Sequence, residues 1–298
     1  MKLKKLVAID NTGVKDFIGN DLLAWCDEVI FYDDYPKDEK VMIERMADAD
    51  GMLVSWNTPI SAYVIESLPQ LKFIGMCCTL FDEKSANVDV IAAKKQGIHV
   101  VGVKDYGDEG VVEFIISALI NLFKNQNSIK FRDEAIECGG LNLGIVGLGT
   151  LGNMVAKASK HFGMNVYYHN RTEKETEFDY LSKGDLFKTC DIITTHLPRN
   201  TKVIHQEDFD QLKAYSVLIN TGLSPSYDET AFINWIQKPH RFAIFDKVSL
   251  TPALIEAYKV YDNIIISDHV TGFTWNARKR LAEKVLINLK TYLEGLVE

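Results

Sequence analysis

The chain has 298 residues, of which 47% are hydrophobic and 25% are charged, the profile of a water-soluble globular protein long enough for two cores. Its net charge of −8 argues against nucleic acid or an anionic membrane as the main partner. The five cysteines show no metal-ligand spacing, so we expect no metal site. No segment reaches membrane-spanning length and the first apolar run is too short for a signal peptide, which together predict a protein of the reducing cytoplasm.

Short apolar runs alternate with helical patterns in the first third of the chain. Five runs predict strands, namely KLVAI, EVIFY, GMLVSW, KFIGMC and IHVVGV, and helical stretches such as KVMIERMADA and DVIAAKKQG lie between them. This alternation is typical of βαβ units and a parallel sheet. A long apolar helix over residues 109–123 follows, and then a polar connector, KNQNSIKFRDEAIECGG.

The alternation restarts after the connector. Six further runs predict strands: LGIVG, NVYYHN, DIITTHL, SVLINTG, FAIFDKV and NIIISDHV. A final amphipathic helix, NARKRLAEKVLINLKTYLEG, closes the chain. The order predicts the α/β fold class, with two doubly wound parallel-sheet domains joined by long helices.

The motif with the most specific chemistry is LGIVGLGTLGNM, in which Gly147, Gly149 and Gly152 form GxGxxG between a predicted strand and a predicted helix. In such a motif the first glycine permits a tight turn, the second lets a pyrophosphate approach the helix N-terminus, and the third allows close helix–strand packing. The strand–turn–helix–strand context favours a dinucleotide site over a glycine-rich turn without a ligand. We therefore expect this motif, including Thr150 and Leu151, to bind the cofactor.

The strand after the motif ends at Asn170, where an acidic residue would bind the ribose hydroxyls of NAD. The sequence instead gives Asn170, Arg171 and Thr172, with Lys174 close behind. Without a carboxylate there is no repulsion toward a 2′-phosphate, and the Arg171 guanidinium can pair with that phosphate. The pattern favours NADP(H) over NAD(H). The alternative interpretation is that Arg171 and Lys174 form a solvated loop face.

Four further segments carry a resemblance to a known family. They are NVDVIAAKKQGIHVVGVKDYGDEGVVEF, THLPRNTKVI, INTGLSPSYDETAF and IIISDHVTGFTWNARKRLAE. Together with the glycine motif they resemble the D-isomer-specific 2-hydroxyacid dehydrogenases. The resemblance implies two Rossmann-like domains with the active site in the cleft, and hydride transfer between a nicotinamide and a 2-keto or 2-hydroxy acid. It also implies a substrate and catalytic domain at residues 1–104 with 273–298, and a dinucleotide-binding domain at residues 105–272.

Members of that family use an arginine, a histidine, and a glutamate that holds the histidine protonated. The resemblance makes His269 the general acid and base. The arginine position falls on Leu223, and the glutamate position falls on Ser249, in a segment two residues shorter than the family pattern. Lys104 is a candidate substitute cation and Lys247 is another, although each can also be a solvated lysine.

The resemblance also implies contacts with the cofactor and the substrate. The implied cofactor contacts are Leu197 and Pro198 by the adenosine, Thr221 and Gly222 beside the nicotinamide, and Asp246 near its carboxamide. The implied substrate contacts are backbone N–H groups of the loop GMCCTLFDEKSANVD, where Cys78, Thr79 and Leu80 replace a shorter glycine-containing turn.

Three interpretations of function stay open. The first is an NAD(P)-dependent oxidoreductase of the D-2-hydroxyacid dehydrogenase type, acting on a 2-keto or 2-hydroxy acid or a related carbonyl compound. The second is a catalytically inactive or very slow NADP(H)-binding sensor or partner protein. The third is a structural relative that uses the site for another acid-catalysed step. The cofactor motif and His269 favour the first, and we also expect a homodimer through the apolar helix 109–123.

Overall fold

The computed structural model describes residues 2–80, 82–83, 86–126 and 128–295. The chain divides into two compact units. The first comprises residues 1–106 and 275–298, and the second comprises residues 107–274. Residues 296–298, which the sequence assigns to the substrate domain, lie outside the described residues.

The first unit is built on one parallel sheet with helices on both faces. In chain order its described elements are β1 (Leu3–Ala8), α1 (Lys15–Leu22), β2 (Cys26–Phe31), α2 (Glu39–Met46), β3 (Gly51–Val54), α3 (Ala62–Glu66), β4 (Phe73–Met76), α4 (Val90–Lys95), β5 (His99–Val101) and the last helix of the chain, α11 (Trp275–Leu293). The strands lie in the order β2-β1-β3-β4-β5. The order reverses beside β1, which is the arrangement of a doubly wound sheet.

The second unit has the same architecture with a larger sheet. Its described elements are α5 (Asp108–Phe123), β6 (Asn142–Val146), α6 (Thr150–His161), β7 (Asn165–His169), β8 (Asp179–Tyr180), α7 (Lys183–Thr189), β9 (Ile192–Thr195), α8 (Gln206–Phe209), β10 (Ser216–Asn220), α9 (Glu229–Ile236), β11 (Arg241–Phe245), a 3₁₀ turn (Lys247–Ser249), α10 (Pro252–Tyr258) and β12 (Ile264–Ile266). The strands are parallel and lie in the order β12-β11-β10-β9-β6-β7-β8.

Local sequence explains where many of these helices begin. The side chain of Asp38 accepts a hydrogen bond from the Val41 N–H at the start of α2. Asp228 does the same for Ala231 at the start of α9. Such N-caps satisfy N–H groups that have no partner inside the helix, and each is worth about 1 kcal/mol.

The central strands are buried on both faces, which is why they read as continuous apolar runs. In β10, Val217 and Ile219 pack into the core beneath α5 and α6. Leu218, between them in sequence, packs into the opposite core with Phe187 and Trp235. A strand with helices on both sides has no polar face, so alternation of polar and apolar residues is absent.

The predicted fold class is confirmed: all five strands expected in the first unit and all six expected in the second are present. The two-residue strand β8 was not predicted, because Asp179 and Tyr180 form too short and too polar a run. In the described part of the chain, no helix is both long enough and apolar enough to span a membrane. The same residues contain no group of three or more His, Cys, Asp or Glu arranged to hold a metal ion.

Candidate functional site

The glycine motif forms the turn between β6 and α6, and two of its glycines are sterically required. Gly147 has φ +101°, and a Cβ there would lie 2.3 Å from the carbonyl oxygen of His196. A Cβ on Gly152 would lie 2.3 Å from the carbonyl oxygen of Gly147. At Gly149, by contrast, no described atom lies within 4 Å of the Cβ position. The turn is therefore closed on its inner side and open at Gly149.

The open position lies at the N-terminus of α6. Gly149 is the N-cap residue, and no described side chain caps this helix. Thr150 is exposed and Leu151 is half-buried. The N–H groups of a first helical turn carry partial positive charge and attract anions, phosphates above all. The open glycine and the uncapped helix thus form a cradle suited to a pyrophosphate.

Two side chains from the end of β7 hold the cradle in shape. The Asn170 Oδ1 accepts a hydrogen bond of 2.7 Å from the Leu148 N–H. The Lys174 Nζ donates one of 2.7 Å to the Leu148 carbonyl oxygen. Both backbone polar groups of Leu148, in two successive peptide units of the glycine turn, are fixed in this way. Arg171 and Thr172 are exposed between the two anchors.

A polar network joins the ends of β9 and β10. The Thr195 hydroxyl donates to Asn220 Oδ1 at 2.8 Å, and the Ser226 hydroxyl donates to Thr195 Oγ1 at 2.9 Å. Asn220 Nδ2 in turn donates to the Ser224 carbonyl at 3.0 Å. The Ser224 hydroxyl accepts from the backbone N–H of Asn200 at 2.7 Å, which ties in the segment that contains Leu197 and Pro198.

The network supports the turn that follows β10. In that turn Thr221 is buried, Gly222 is half-buried, and Leu223 is 47% exposed. Leu197 is half-buried and Pro198 is exposed on the neighbouring turn. None of the network residues was singled out from the sequence, because a pairing between polar residues of different strands leaves no recognisable spacing.

Three buried polar atoms at this edge of the sheet have no hydrogen-bond partner among the described residues: Asn170 Nδ2, His196 Nδ1 and Thr221 Oγ1. They belong to the ends of β7, β9 and β10, beside the glycine turn. Leaving such a group unpaired costs about 1–3 kcal/mol, so each of these three atoms is available to a ligand that lies along this edge. Together with the pyrophosphate cradle, they fit a nicotinamide dinucleotide.

His196 is a neutral group in this setting. Its Nε2 lies 3.1 Å from the Thr194 hydroxyl. Burial lowers the pKa of His196 to about 4. At neutral pH the imidazole is therefore uncharged, with one nitrogen bonded to protein and the other directed at no described group.

Asp246 connects the ends of β11 and β12. Its buried carboxylate accepts hydrogen bonds from the N–H groups of Val248 and Thr271, both at 3.0 Å. It also accepts from the Thr271 hydroxyl and, at 3.4 Å, from the Ser267 hydroxyl. With four donors on its two oxygens, this carboxylate fixes the turn at residues 267–271 against the turn at residues 246–249. Its contact with a nicotinamide carboxamide stays a prediction.

His269 lies in the middle of that fixed turn and its side chain is exposed. The His269 carbonyl oxygen accepts a hydrogen bond of 2.6 Å from the Ser267 hydroxyl. No described side chain hydrogen-bonds to its imidazole. Ser249 is 1% exposed, and its hydroxyl donates to the Asp246 carbonyl at 2.6 Å. Ser249 is thus engaged inside its own turn.

The expected substrate loop belongs to the first unit. Cys77 and Cys78 are buried on opposite faces of the sheet, in different cores. Burial raises the pKa of the Cys77 thiol well above its usual value. Thr79 and Leu80 are half-buried beyond them. Part of the longer loop that follows, at residues 81, 84 and 85, lies outside the described residues.

Lys104 follows β5 in the same unit, and its side chain is exposed. Its carbonyl oxygen accepts a hydrogen bond of 2.8 Å from the Lys284 Nζ. A group missed from the sequence lies after β1: the buried Asp10 carboxylate accepts from the Ser55 N–H and hydroxyl and from the Thr58 hydroxyl. It fixes the turn after β3 much as Asp246 fixes the turns after β11 and β12.

Known proteins resemble this chain across most of its length. Residues 117–271, just over half of the chain, match the family model described as D-isomer specific 2-hydroxyacid dehydrogenase, NAD binding domain. A glyoxylate reductase from Korarchaeum cryptofilum is 25% identical over 296 residues, covering 89% of this chain and 86% of the relative. A putative 2-hydroxyacid dehydrogenase from Haemophilus influenzae is 29% identical over 280 residues, covering 85% and 87%.

Solved structures share the fold. An acyclic imino acid reductase in complex with NADPH and D-Arg has a TM-score of 0.83 at 23% identity, covering 98% of this chain and 97% of that one. A D-2-hydroxyisocaproate dehydrogenase has a TM-score of 0.82 at 22% identity, covering 99% and 98%.

Proposed function

The chain belongs to the D-isomer-specific 2-hydroxyacid dehydrogenase family, and we propose that it is an NADP(H)-dependent oxidoreductase that acts on a 2-keto or 2-hydroxy acid or a related carbonyl compound. The observation that carries this proposal is the position of His269. Its imidazole is exposed at the carboxyl edge of the same sheet that carries the glycine motif. That edge is where doubly wound sheets bind their ligands.

His269 has the properties of a general acid. When bound, a reduced nicotinamide would supply the hydride, and the oxygen that becomes a hydroxyl would then need a proton. An imidazole suits this task near neutral pH, because both of its protonation states are accessible there. Ser267 and Thr271 hold the backbone on either side of His269, and both bond to Asp246. The imidazole therefore stands on a rigid turn.

The residues at the end of β7 support the proposed preference for NADP(H). Asn170 replaces the carboxylate that would bind ribose hydroxyls, and its amide oxygen is already bonded to the glycine turn. Arg171 is exposed and makes no ion pair within the described residues, so its guanidinium is available to a 2′-phosphate. The test is the pair of dissociation constants for NADPH and NADH.

Arg171→Ala should weaken NADPH binding by roughly 10- to 100-fold and change NADH binding by less than about twofold. Lys188→Ala, which removes an exposed positive charge from α7, is the matched control and should leave both constants unchanged. Tighter binding of NADH than of NADPH by the unmodified protein would overturn the preference.

A second candidate function is an NADP(H)-binding sensor or partner protein with little or no turnover. The environment of Leu223 and Ser249 favours it. Leu223 is apolar and cannot bind a carboxylate, and the Ser249 hydroxyl is engaged with the Asp246 carbonyl. Losing one charge-assisted contact at a reacting oxygen costs roughly 10²–10³ in rate.

One experiment separates the two functions. The protein is incubated with NADPH and a panel that contains glyoxylate, pyruvate, longer 2-keto acids, simple ketones, and 2-keto acids mixed with ammonia as a source of imines. The named relatives motivate glyoxylate and the imines. For an enzyme, His269→Asn should lower kcat/KM by roughly 10²–10⁴, while the exposed His161→Asn on α6 leaves it unchanged. Tight NADPH binding without oxidation by any compound would support the sensor.

Assembly as a homodimer is part of the proposal. Three apolar residues spaced four apart along α5 are only half-buried: Val112, Ile116 and Ile120. An apolar stripe of this kind on a long helix is suited to a second copy of the chain. Light scattering at micromolar concentration measures the mass, and a monomer would refute this part.

A further inference from the structure

The turn after β11 lies between the turns that carry Leu223 and His269. β11 pairs with β10 on one side and with β12 on the other. Its last residue, Phe245, is in register with the last residues of both neighbours. Lys247 follows two residues later. Its turn therefore lies at the carboxyl edge of the sheet, between the turns that follow β10 and β12. A cation on this turn is thus next to the position where the family pattern has its arginine.

Lys247 has the geometry of an available cation. Its side chain is exposed, and its backbone N–H donates to the Ser267 hydroxyl at 2.9 Å. Its Nζ lies 3.5 Å from the carbonyl oxygen of Asp268, which belongs to the peptide bond leading into His269. No carboxylate of the described chain forms an ion pair with it.

Neither acidic neighbour of Lys247 forms an ion pair with its ammonium. The Asp246 carboxylate is buried and already accepts hydrogen bonds from Val248, Thr271 and Ser267. Asp268 is exposed, and only its backbone carbonyl approaches the ammonium. An exposed ammonium without an ion-pair partner attracts an anionic group of a ligand.

We propose that the Lys247 ammonium binds the carboxylate of the substrate and supplies the cation that Leu223 does not. The inference rests on the proposed function and names its substrate class: a small 2-keto acid rather than a neutral ketone. An ammonium is a point charge without the two-pronged geometry of a guanidinium, so it attracts the carboxylate without fixing its plane. Recognition of the carboxylate thereby moves from the turn after β10 to the turn after β11.

The test removes the charge of Lys247 and the charge of the substrate carboxylate, each alone and both together. Lys247→Met keeps the length of the side chain and removes its charge, and Lys247→Arg keeps the charge. Each is assayed with NADPH and either glyoxylate or pyruvate, whichever the unmodified protein reduces faster, and with the methyl ester of that acid. Lys259→Met is the control, because Lys259 is an exposed lysine of the same unit that pairs with Glu256 on α10.

Lys247→Met should lower kcat/KM for the acid by roughly 10- to 100-fold and change kcat/KM for the ester by less than about twofold. Lys247→Arg should retain most of the activity, and Leu223→Arg added to Lys247→Met should restore it for the acid. The NADPH dissociation constant and the thermal midpoint should stay unchanged in all variants. An equal loss for acid and ester, or no loss for either, would overturn the inference and leave the proposed function intact.

If the unmodified protein reduces nothing in the panel, the proposed function fails, and binding alone decides the role of Lys247. The probe is oxamate, a stable analogue of a 2-keto acid, titrated by calorimetry into the NADPH-saturated protein. Binding that weakens at least tenfold in Lys247→Met, but not in Lys259→Met, supports the carboxylate site. Oxamate that does not bind, or binds both variants equally, refutes it.

Discussion

The two ends of the carboxyl edge of the seven-stranded sheet contribute to the site in different ways. At the β6–β7 end, the groups offered to a ligand are mostly main-chain N–H groups, shaped by Gly147 and Gly152. At the β10–β12 end they are side chains, and two positions of the family pattern carry Leu223 and Ser249 instead. The first end keeps the glycines and differs only in the residue after β7, whereas the second differs at two catalytic positions of the family pattern.

The difference follows from how each end is held. A glycine in a positive-φ turn whose missing Cβ would meet a carbonyl cannot be replaced without moving the backbone. A side chain such as Leu223, 47% exposed, can be replaced with no effect on packing. The backbone shape of the glycine turn can therefore be retained while side chains at the β10–β12 end are replaced.

The largest effect is expected from Gly147→Ala. The new Cβ would lie 2.3 Å from the His196 carbonyl at φ +101°, so strain and overpacking together should cost about 2–5 kcal/mol of unfolding free energy. Urea unfolding measures the loss, and calorimetry should show that NADPH binding is abolished. Gly184→Ala, on α7 with no described atom within 4 Å of its Cβ position, is the control and should be neutral or stabilising.

At the other end of the edge, the largest effect should come from Asp246→Ala. The substitution leaves the buried N–H and hydroxyl of Thr271 unsatisfied, and we expect a loss of about 2–4 kcal/mol by urea unfolding. Because the turn around His269 is released, kcat should fall as well. Asp262→Ala, an exposed aspartate before β12, should change neither quantity.

The buried His196 makes stability depend on pH. Burial lowers its pKa to about 4, below the ordinary value near 6.5, so the unfolded chain binds a proton in a range where the folded protein does not. The stabilisation is complete above about pH 6.5 and is lost as the pH falls toward 4. The unfolding free energy should drop between pH 7 and pH 4.5 by on the order of 2 kcal/mol more than in His196→Asn. Equal drops would contradict this assignment.

The smallest effect is expected from Ser249→Ala. Removing the hydroxyl that donates to the Asp246 carbonyl should cost about 1 kcal/mol of unfolding free energy. Turnover should change by less than about twofold, because this hydroxyl supports its own turn and not the His269 imidazole. A large fall in kcat with unchanged stability would mean that the position kept a catalytic role.

Much of the fold was predictable, because parallel strands buried on both faces leave apolar runs and GxGxxG needs its own strand and helix. The hydrogen bonds that hold the candidate site in shape could not be predicted from the sequence. The sequence predicted Asn170 as a cofactor contact in place of an acid, but its bond to Leu148 becomes visible only in three dimensions. Thr195 and Asn220 lie on different strands, and their pairing depends on the register of β9 and β10. Polar pairs of this kind have no fixed spacing along a chain.

The placement of Cys77 and Cys78 on opposite faces of the five-stranded sheet has a consequence for measurement. One thiol packs against α11 residues such as Leu281, and the next packs against residues such as Ile74 and Ala93. In variants that keep one of the two and lack the other four cysteines of the chain, the rate of thiol labelling under native conditions reports the opening of a single layer of helices. Two consecutive residues thus report separately on the opening of the two faces of the same sheet.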